Sequence, residues 1–258
     1  MILAIDVGNT NIVLGCSDGE NIYFKGRLAT DMQKTEMEYA VMFKNIFDIY
    51  DVDLSRLEGA VMSSVVPPLN KVLSRAVHAV TGFVPLEVDI HKNTGLTTDV
   101  DSAEEIGSDL IVEAAAAIER YKLPIVIIDM GTATTFWVIN KQGTLCGGAF
   151  MPGVKISQEA LSERTSKLPG ISFSDVSKVI GKNTVDCMKS GMVYGNAAMI
   201  DGMLDRIEAE LGEKLTAVAT GGLAGGIIKH CRRSVILDDD LLIRGLWIIY
   251  QKNKSDGE

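Results

Sequence analysis

The feature that most restricts the fold is an internal repeat. Residues 2–10 read ILAIDVGNT and residues 125–133 read IVIIDMGTA. Each copy is four apolar residues, then Asp, any residue, Gly, and small or polar residues. The two aspartates stand 123 positions apart, nearly half of the 258-residue chain. Short apolar runs closed by turn formers read as buried strands. The parallel continues beyond each copy. Residues 11–14 and 135–139 read as second strands, Asp18-Gly19 and Gln142-Gly143 as turns, and residues 21–24 and 144–149 as third strands. Each half is therefore expected to open with an antiparallel meander.

The remainder of each half reads as α/β. Met37, Ala40, Val41 and Phe47 recur at helical spacing within 36–50. Residues 59–66 predict a buried strand closed by Pro67-Pro68, and residues 70–81 a helix. Ser102-Ala103-Glu104-Glu105 has the form of a capping box opening a helix to about residue 121. In the second half, residues 155–166 and 184–211 predict helices. Residues 215–219 predict a strand ending in Thr220-Gly221-Gly222, and residues 241–251 a last helix before a polar tail over 252–258. The expected organisation is two related halves, 1–123 and 124–258. A cleft between such halves would be the preferred place for a ligand.

Composition narrows the partners. The net charge is −9, with 47% hydrophobic and 23% charged residues, the profile of a globular chain and a poor one for binding DNA or RNA. Cysteines at 16, 146, 187 and 231 include no C-x-x-C pair and lie far in sequence from His78 and His91. Neither a disulfide framework nor a zinc site is indicated, and a reducing, cytoplasmic setting is expected. Met1 runs directly into the first apolar strand without a basic leader, so no signal peptide is expected. No apolar run approaches membrane-spanning length.

Asp6-Val7-Gly8-Asn9-Thr10 joins two strands and is not a Walker loop; no G-x-x-x-x-G-K-[ST] occurs. Gly8 would let the backbone approach a phosphate, Asn9, Thr10 and Asn11 would add donors, and Asp6 could hold Mg²⁺ through water. A plain hairpin turn is the competing reading. The second copy at Asp129-Met130-Gly131-Thr132-Ala133 weighs against it, because duplicated turns could hold two ends of one triphosphate. Gly107-Ser108-Asp109 falls early in the helix expected after Ser102. Glycine inside a helix costs about 1 kcal/mol relative to alanine, so it needs a reason. Room for a substrate beside Asp109 is one, with the carboxylate taking a hydroxyl proton. A solvated face shared with Glu113 is the other. Gly191 and Gly195, four residues apart, predict a helix face approached closely by another backbone, within the fold or across a dimer.

These residues together resemble type III pantothenate kinases, a family within the actin, heat-shock ATPase and sugar-kinase superfamily. The resemblance rests on Asp6-Val7-Gly8-Asn9-Thr10, Ser63-Ser64-Val65-Val66-Pro67, Glu105-Ile106-Gly107-Ser108-Asp109 and Asp129-Met130-Gly131-Thr132-Ala133. It continues through residues 147–153, Ala160-Leu161, Leu168-Pro169, residues 181–184 and Ser190-Gly191. It implies two duplicated ribonuclease-H-like, actin-like halves, each a mixed sheet with flanking helices. It implies transfer of the ATP γ-phosphate to the primary hydroxyl of pantothenate, the first step of coenzyme A biosynthesis. Asp109 would be the general base. Asp6, Val7, Gly8, Asn9, Thr10, Asn11, Ile12, Val13 and Thr132 would bind ATP, with Asp6 near Mg²⁺. Val100, Gly107, Ser108, Asp109, Leu110 and Thr184 would line the substrate pocket. Asp129 would hold a monovalent cation, K⁺ or NH₄⁺, and the protein would be a homodimer.

The chain departs from the family pattern at two positions that bear on substrate. Leu110 stands where the family usually has Arg, and Val100 where it usually has Tyr, in a stretch reading Val100-Asp101-Ser102-Ala103. A guanidinium suits a carboxylate such as that of pantothenate, so its place would have to be taken by another cation such as Arg164. Two alternatives follow: a related kinase for another small hydroxylated metabolite, and a non-catalytic nucleotide-binding regulator.

Overall fold

The first apolar run forms β1 (Ile2–Val7), which is buried on both faces. Its side chains alternate. Leu3, Ile5 and Val7 join a core with Tyr39, Phe43, Leu69 and Leu73, whereas Ile2 and Ala4 join a different core with Ile111, Val112, Leu246 and Ile249. Period-two alternation thus gives one strand two apolar faces to cover. The first is covered by α1 (Glu36–Ile49) and α2 (Pro67–Thr81), the second by α3 (Ser108–Arg120) and α8 (Leu241–Lys254). The computed structural model describes residues 1–174 and 176–254.

β1 pairs antiparallel with β2 (Asn11–Ser17), and β2 with β3 (Ile22–Ala29), giving the expected meander. β4 (Ala60–Ser64) then lies parallel to the other side of β1, and the short β5 (Leu86–Glu87) is parallel to β4. The sheet order is β3-β2-β1-β4-β5. The second half repeats it. β7 (Ile125–Met130), β8 (Ala133–Ile139) and β9 (Thr144–Pro152) form the meander, and β10 (Thr216–Thr220) and β11 (Ile236–Leu237) follow in parallel, in the order β9-β8-β7-β10-β11. A further short strand, β6 (Thr97–Thr98), adds to the far edge beside β9. The duplication read from nine-residue strings therefore extends to the order of five strands. α4 (Val154–Glu163), α5 (Thr184–Ser190), α6 (Asn196–Leu211) and the short α7 (Ala224–Ile228) complete the second half.

Two compact units result, and they are discontinuous in sequence. One comprises Met1–Leu96, Asp101–Glu119 and the segment from Asp240 onward; the other comprises Thr97–Val100 and Arg120–Asp239. A single division at 123/124 would leave α8 with the second half. Its apolar face instead packs on β1, β2 and β4, because Ile243, Leu246 and Ile249 belong to the core of the first sheet.

Several local expectations differ from the structure. Pro67 begins α2 rather than merely closing β4, since proline suits the first helical turn. Ser102 does not cap a helix: residues 103–105 make a single 3₁₀ turn, and α3 starts only at Ser108. The helical stretch after Thr184 contains a π segment, Gly191–Gly195, between α5 and α6. The two glycines bracket that segment, and a Cβ on either would meet nothing within 4 Å, so no backbone of the fold presses on them. Of the polar tail, residues 252–254 continue α8 and the rest lies outside the described residues.

One contact fixes α3 against α8. A Cβ on Gly245 would strike the carbonyl oxygen of Val112, so only glycine allows the two helices this approach. We expect Gly245→Ala to lower stability by about 1–3 kcal/mol, the usual cost of overpacking, measured as a lower urea midpoint with unchanged m-value.

Candidate active site

Side-chain parity places the site. Asp6 shares the Ile2 and Ala4 face of β1, the face covered by α3, and it stands at the strand's C-terminal end. In the parallel pairing its neighbour on β4 is Ser63, which is completely buried. The Ser63 hydroxyl donates to Asp6 Oδ1 at 2.7 Å. Burial pushes the Asp6 carboxyl up from its ordinary 3.8 to about 7; the Ser63 hydrogen bond opposes that rise, and the charge of Asp109 adds to it. Asp109 is itself raised, first by burial, against the Leu110 amide that donates to its Oδ1 at 2.8 Å. Two half-buried carboxyls that feel each other thus stand where the end of β1 meets the start of α3.

Gly107 precedes α3 and is not inside it, so helix propensity does not explain the glycine. A Cβ there would strike Asp109 Oδ1. The Asp109 carboxylate folds back over residue 107, and glycine is what leaves it room. Leu110, in contrast, is only 4% exposed and packs into the core. The position where the family usually carries Arg is therefore filled here as an apolar helix position.

The β1–β2 hairpin carries the remaining first-half residues. The Gly8 amide donates to the Asn11 carbonyl at 2.9 Å and the Gly8 carbonyl accepts from the Thr30 hydroxyl at 2.6 Å, so the glycine's own polar groups are used within the fold. Asn9 and Thr10 form the exposed tip. Val7 and Ile12 have no exposed surface, so they could serve a ligand only through their backbones; Asn11 and Val13 are half-buried.

The second unit repeats the geometry. Asp129 ends β7 as Asp6 ends β1, and its parallel neighbour on β10 is Thr220, again a hydroxyl residue. Gly221, with φ of 96°, lies beneath the carboxylate: a Cβ there would come within 2.7 Å of Asp129 Oδ1. In both units a glycine just beyond a strand or just before a helix makes space for a carboxylate, Asp109 in one and Asp129 in the other. Thr132 is exposed at the β7–β8 turn. Val100 is half-buried just after β6, its amide donating to the Thr98 hydroxyl at 3.2 Å. Thr184 opens α5 and lines a cavity of about 570 Å³ whose walls include Val154, Leu161, Leu168, Met188 and Met192.

No group of three or more His, Cys, Asp or Glu side chains is gathered for a metal among the described residues. Mg²⁺ is usually held by one or two carboxylates with water and substrate phosphates rather than by an all-protein cage. A divalent cation would relieve the charge of a half-buried carboxylate that has Ser63 as its hydrogen-bond donor and feels the charge of a second carboxyl. Sequence reading passed over Ser63 as a site residue. The available signal was its place at the end of a buried apolar run, level with Asp6 once β4 is laid parallel to β1.

The strand order, duplicated around two strand-end carboxylates, defines an α/β protein of the actin-like ATPase and sugar-kinase fold. The activator of the 2-hydroxyisocaproyl-CoA dehydratase from Clostridium difficile, solved with bound ADPNP, is similar in fold with a TM-score of 0.56 at 11% identity, over 99% of this chain and 96% of that one. The family model for type III pantothenate kinase matches residues 2–206. Type III pantothenate kinases of an Exiguobacterium species and of Geobacter sulfurreducens are 43% and 40% identical, over 99% of this chain and 100% of each relative. The chain belongs to the type III pantothenate kinase family.

Two outcomes follow from this geometry. Gly107→Ala should displace the Asp109 carboxylate and lower kcat by at least about tenfold, with a melting temperature near that of the parent. The Asp6 effect has a definite sign. A folded value near 7 against an ordinary 3.8 means the folded chain holds the extra proton, so this group's penalty is absent below pH 4 and grows as pH rises toward 7. In metal-free and nucleotide-free protein, Asp6→Asn should match the parent's stability near pH 4. It should exceed it by up to about 4 kcal/mol at pH 8, since each tenfold change in proton affinity is worth about 1.4 kcal/mol, measured by thermal melts across that range.

Proposed function

We propose that this chain transfers the γ-phosphate of ATP to the primary hydroxyl of pantothenate, giving 4'-phosphopantothenate at the start of coenzyme A biosynthesis. The observation that carries the reading is the pair Asp6 and Asp109, brought together at the end of β1 in a chain that aligns with pantothenate kinases along its whole length.

Phosphoryl transfer asks a protein mainly for positioning and charge stabilisation. Asp109 accepts the proton of the substrate hydroxyl as its oxygen bonds to the γ-phosphorus and the bond to the bridging oxygen of ADP breaks. Burial raises its basicity, which makes it a better acceptor for that proton. Residues 6–13 line the phosphates, with the exposed tip at Asn9 and Thr10 offering donors and Val7 and Ile12 contributing backbone alone. Asp6, held by Ser63, would hold Mg²⁺, and the ion would supply positive charge to neutralise the phosphates. In the second unit Thr132 is the proposed ATP residue, and the Asp129 carboxylate, beside Gly221, would hold K⁺ or NH₄⁺. The substrate residues implied by the resemblance are Gly107 and Leu110 in the first unit, Leu110 through its backbone, and Val100 and Thr184 in the second. The working form is a homodimer, supported by exposed Phe150, Ile156 and Leu161 in the second unit. The setting is the cytoplasm, in keeping with four free thiols.

A related acceptor is a second reading, favoured by one observation: no charged side chain occupies position 110, where an apolar one is buried. Asp109→Asn should lose about 10²–10⁴ in kcat while ATP affinity, followed by calorimetry, stays within a few-fold; near-normal turnover would remove Asp109 from the chemistry. In a panel of hydroxylated acceptors with ATP and Mg²⁺, assayed with K⁺ and with Na⁺, pantothenate should give the highest kcat/KM, and only with K⁺. A better acceptor would replace pantothenate in the assignment.

A further inference from the structure

The geometry points to Ser108 as a positioning residue whose hydroxyl ties the first turn of α3 to the end of β4 and so sets where Asp109 stands relative to Asp6. The assignment rests on Asp109 being the base. β4 has β1 along one side for its whole length, since Leu3↔Ala60 through Val7↔Ser64 are paired. On its other side β5 pairs only with Val61 and Met62, and the last bond there runs from the Val88 amide to the Met62 carbonyl at 2.8 Å. The Val65 amide points back to β1, donating to the Val7 carbonyl at 3.0 Å. By alternation, the Ser64 amide and carbonyl face the side where β5 has ended. Ser64 is half-buried, and backbone groups shielded from water are paired with few exceptions.

Ser108 supplies both. Its Oγ accepts from the Ser64 amide at 2.7 Å and donates to the Ser64 carbonyl at 3.0 Å. The side chain is 8% exposed, and its one proton is committed, so it has nothing to donate to a substrate. One residue before Ser64 stands Ser63, hydrogen-bonded to Asp6; one residue after Ser108 stands Asp109. The two carboxylates are thus linked by Ser63, Ser64 and Ser108, through side-chain hydrogen bonds at each junction between elements. The family pattern placed Ser108 among substrate-lining residues. Its hydroxyl here acts through Asp109 instead.

Positioning and substrate contact separate kinetically. Ser108→Ala should lower kcat by about 10–100-fold, the scale of a displacement of an ångström or less, while KM for ATP and for pantothenate stays within about twofold. Ser108→Thr, which keeps the hydroxyl, should recover most of kcat. Hydrogen exchange on the full chain should quicken at the Ser64 amide in Ser108→Ala and not in Ser108→Thr. Should the alanine variant not fold, Ser108→Cys, of similar size and with a weak donor, takes its place in each measurement. A raised KM for pantothenate with kcat retained would make Ser108 a substrate contact and overturn the assignment, as would unchanged kinetics in the alanine or cysteine variant. Turnover retained by Asp109→Asn would instead sink the base reading, whatever Ser108→Ala does.

Discussion

A carboxylate half-buried at the end of a strand covered on both faces is the constraint on which the rest depends. Water would hold Asp6 ionised at little cost, but β1 is covered by helix pairs on each face, so its terminal carboxyl is shielded. The fold offers one hydroxyl, Ser63, and a second carboxyl that makes matters worse. Such a site is unfavourable in isolation and suited to a cation-bearing ligand. The strain is electrostatic, and it is held because four helices and the four other strands of the sheet specify the place of β1 more strongly than Asp6 opposes it.

The same solution appears twice. Strand order, the meander and the hydroxyl opposite the carboxylate all recur, with Ser63 beside Asp6 and Thr220 beside Asp129. The helices do not follow the duplication so closely. α8, last in the chain, covers the first sheet, where together with α3 it closes the face that bears Asp6. The chain's final apolar helix is thereby tied to the element that presents Asp109, through the close approach of Gly245 to Val112. An early strand, an internal helix and the last helix build one site, which is why its residues are scattered along the sequence.

Much of this was legible from residue order. The strand pattern of both meanders, the helices beginning near Glu36 and Leu241, and the two Asp-x-Gly turns follow from local spacing and turn chemistry. The first turn of α3 was not. Ser102 followed by Glu105 has the form of a cap, yet the chain makes one 3₁₀ turn and restarts at Ser108. The reason is tertiary: Ser108 must meet Ser64, and Asp109 must lie over Gly107. The short strands β5, β6 and β11 were also invisible, because two residues carry no period and each is defined only by its neighbour. Of the two packing readings for the glycines of the π segment, the one within a single chain is not what the fold uses.

By itself the sequence determined which residues could do chemistry and which strands would be buried, because side-chain type and alternation are properties of the chain. Tertiary structure alone decided that Ser63 bonds Asp6, that the charge of Asp109 is felt there, that Leu110 turns into the core, and that α8 returns to the first sheet. Those outcomes depend on parallel neighbours drawn from distant positions. Which face a distant helix covers is settled by the competition of apolar surfaces for burial, which no local spacing records.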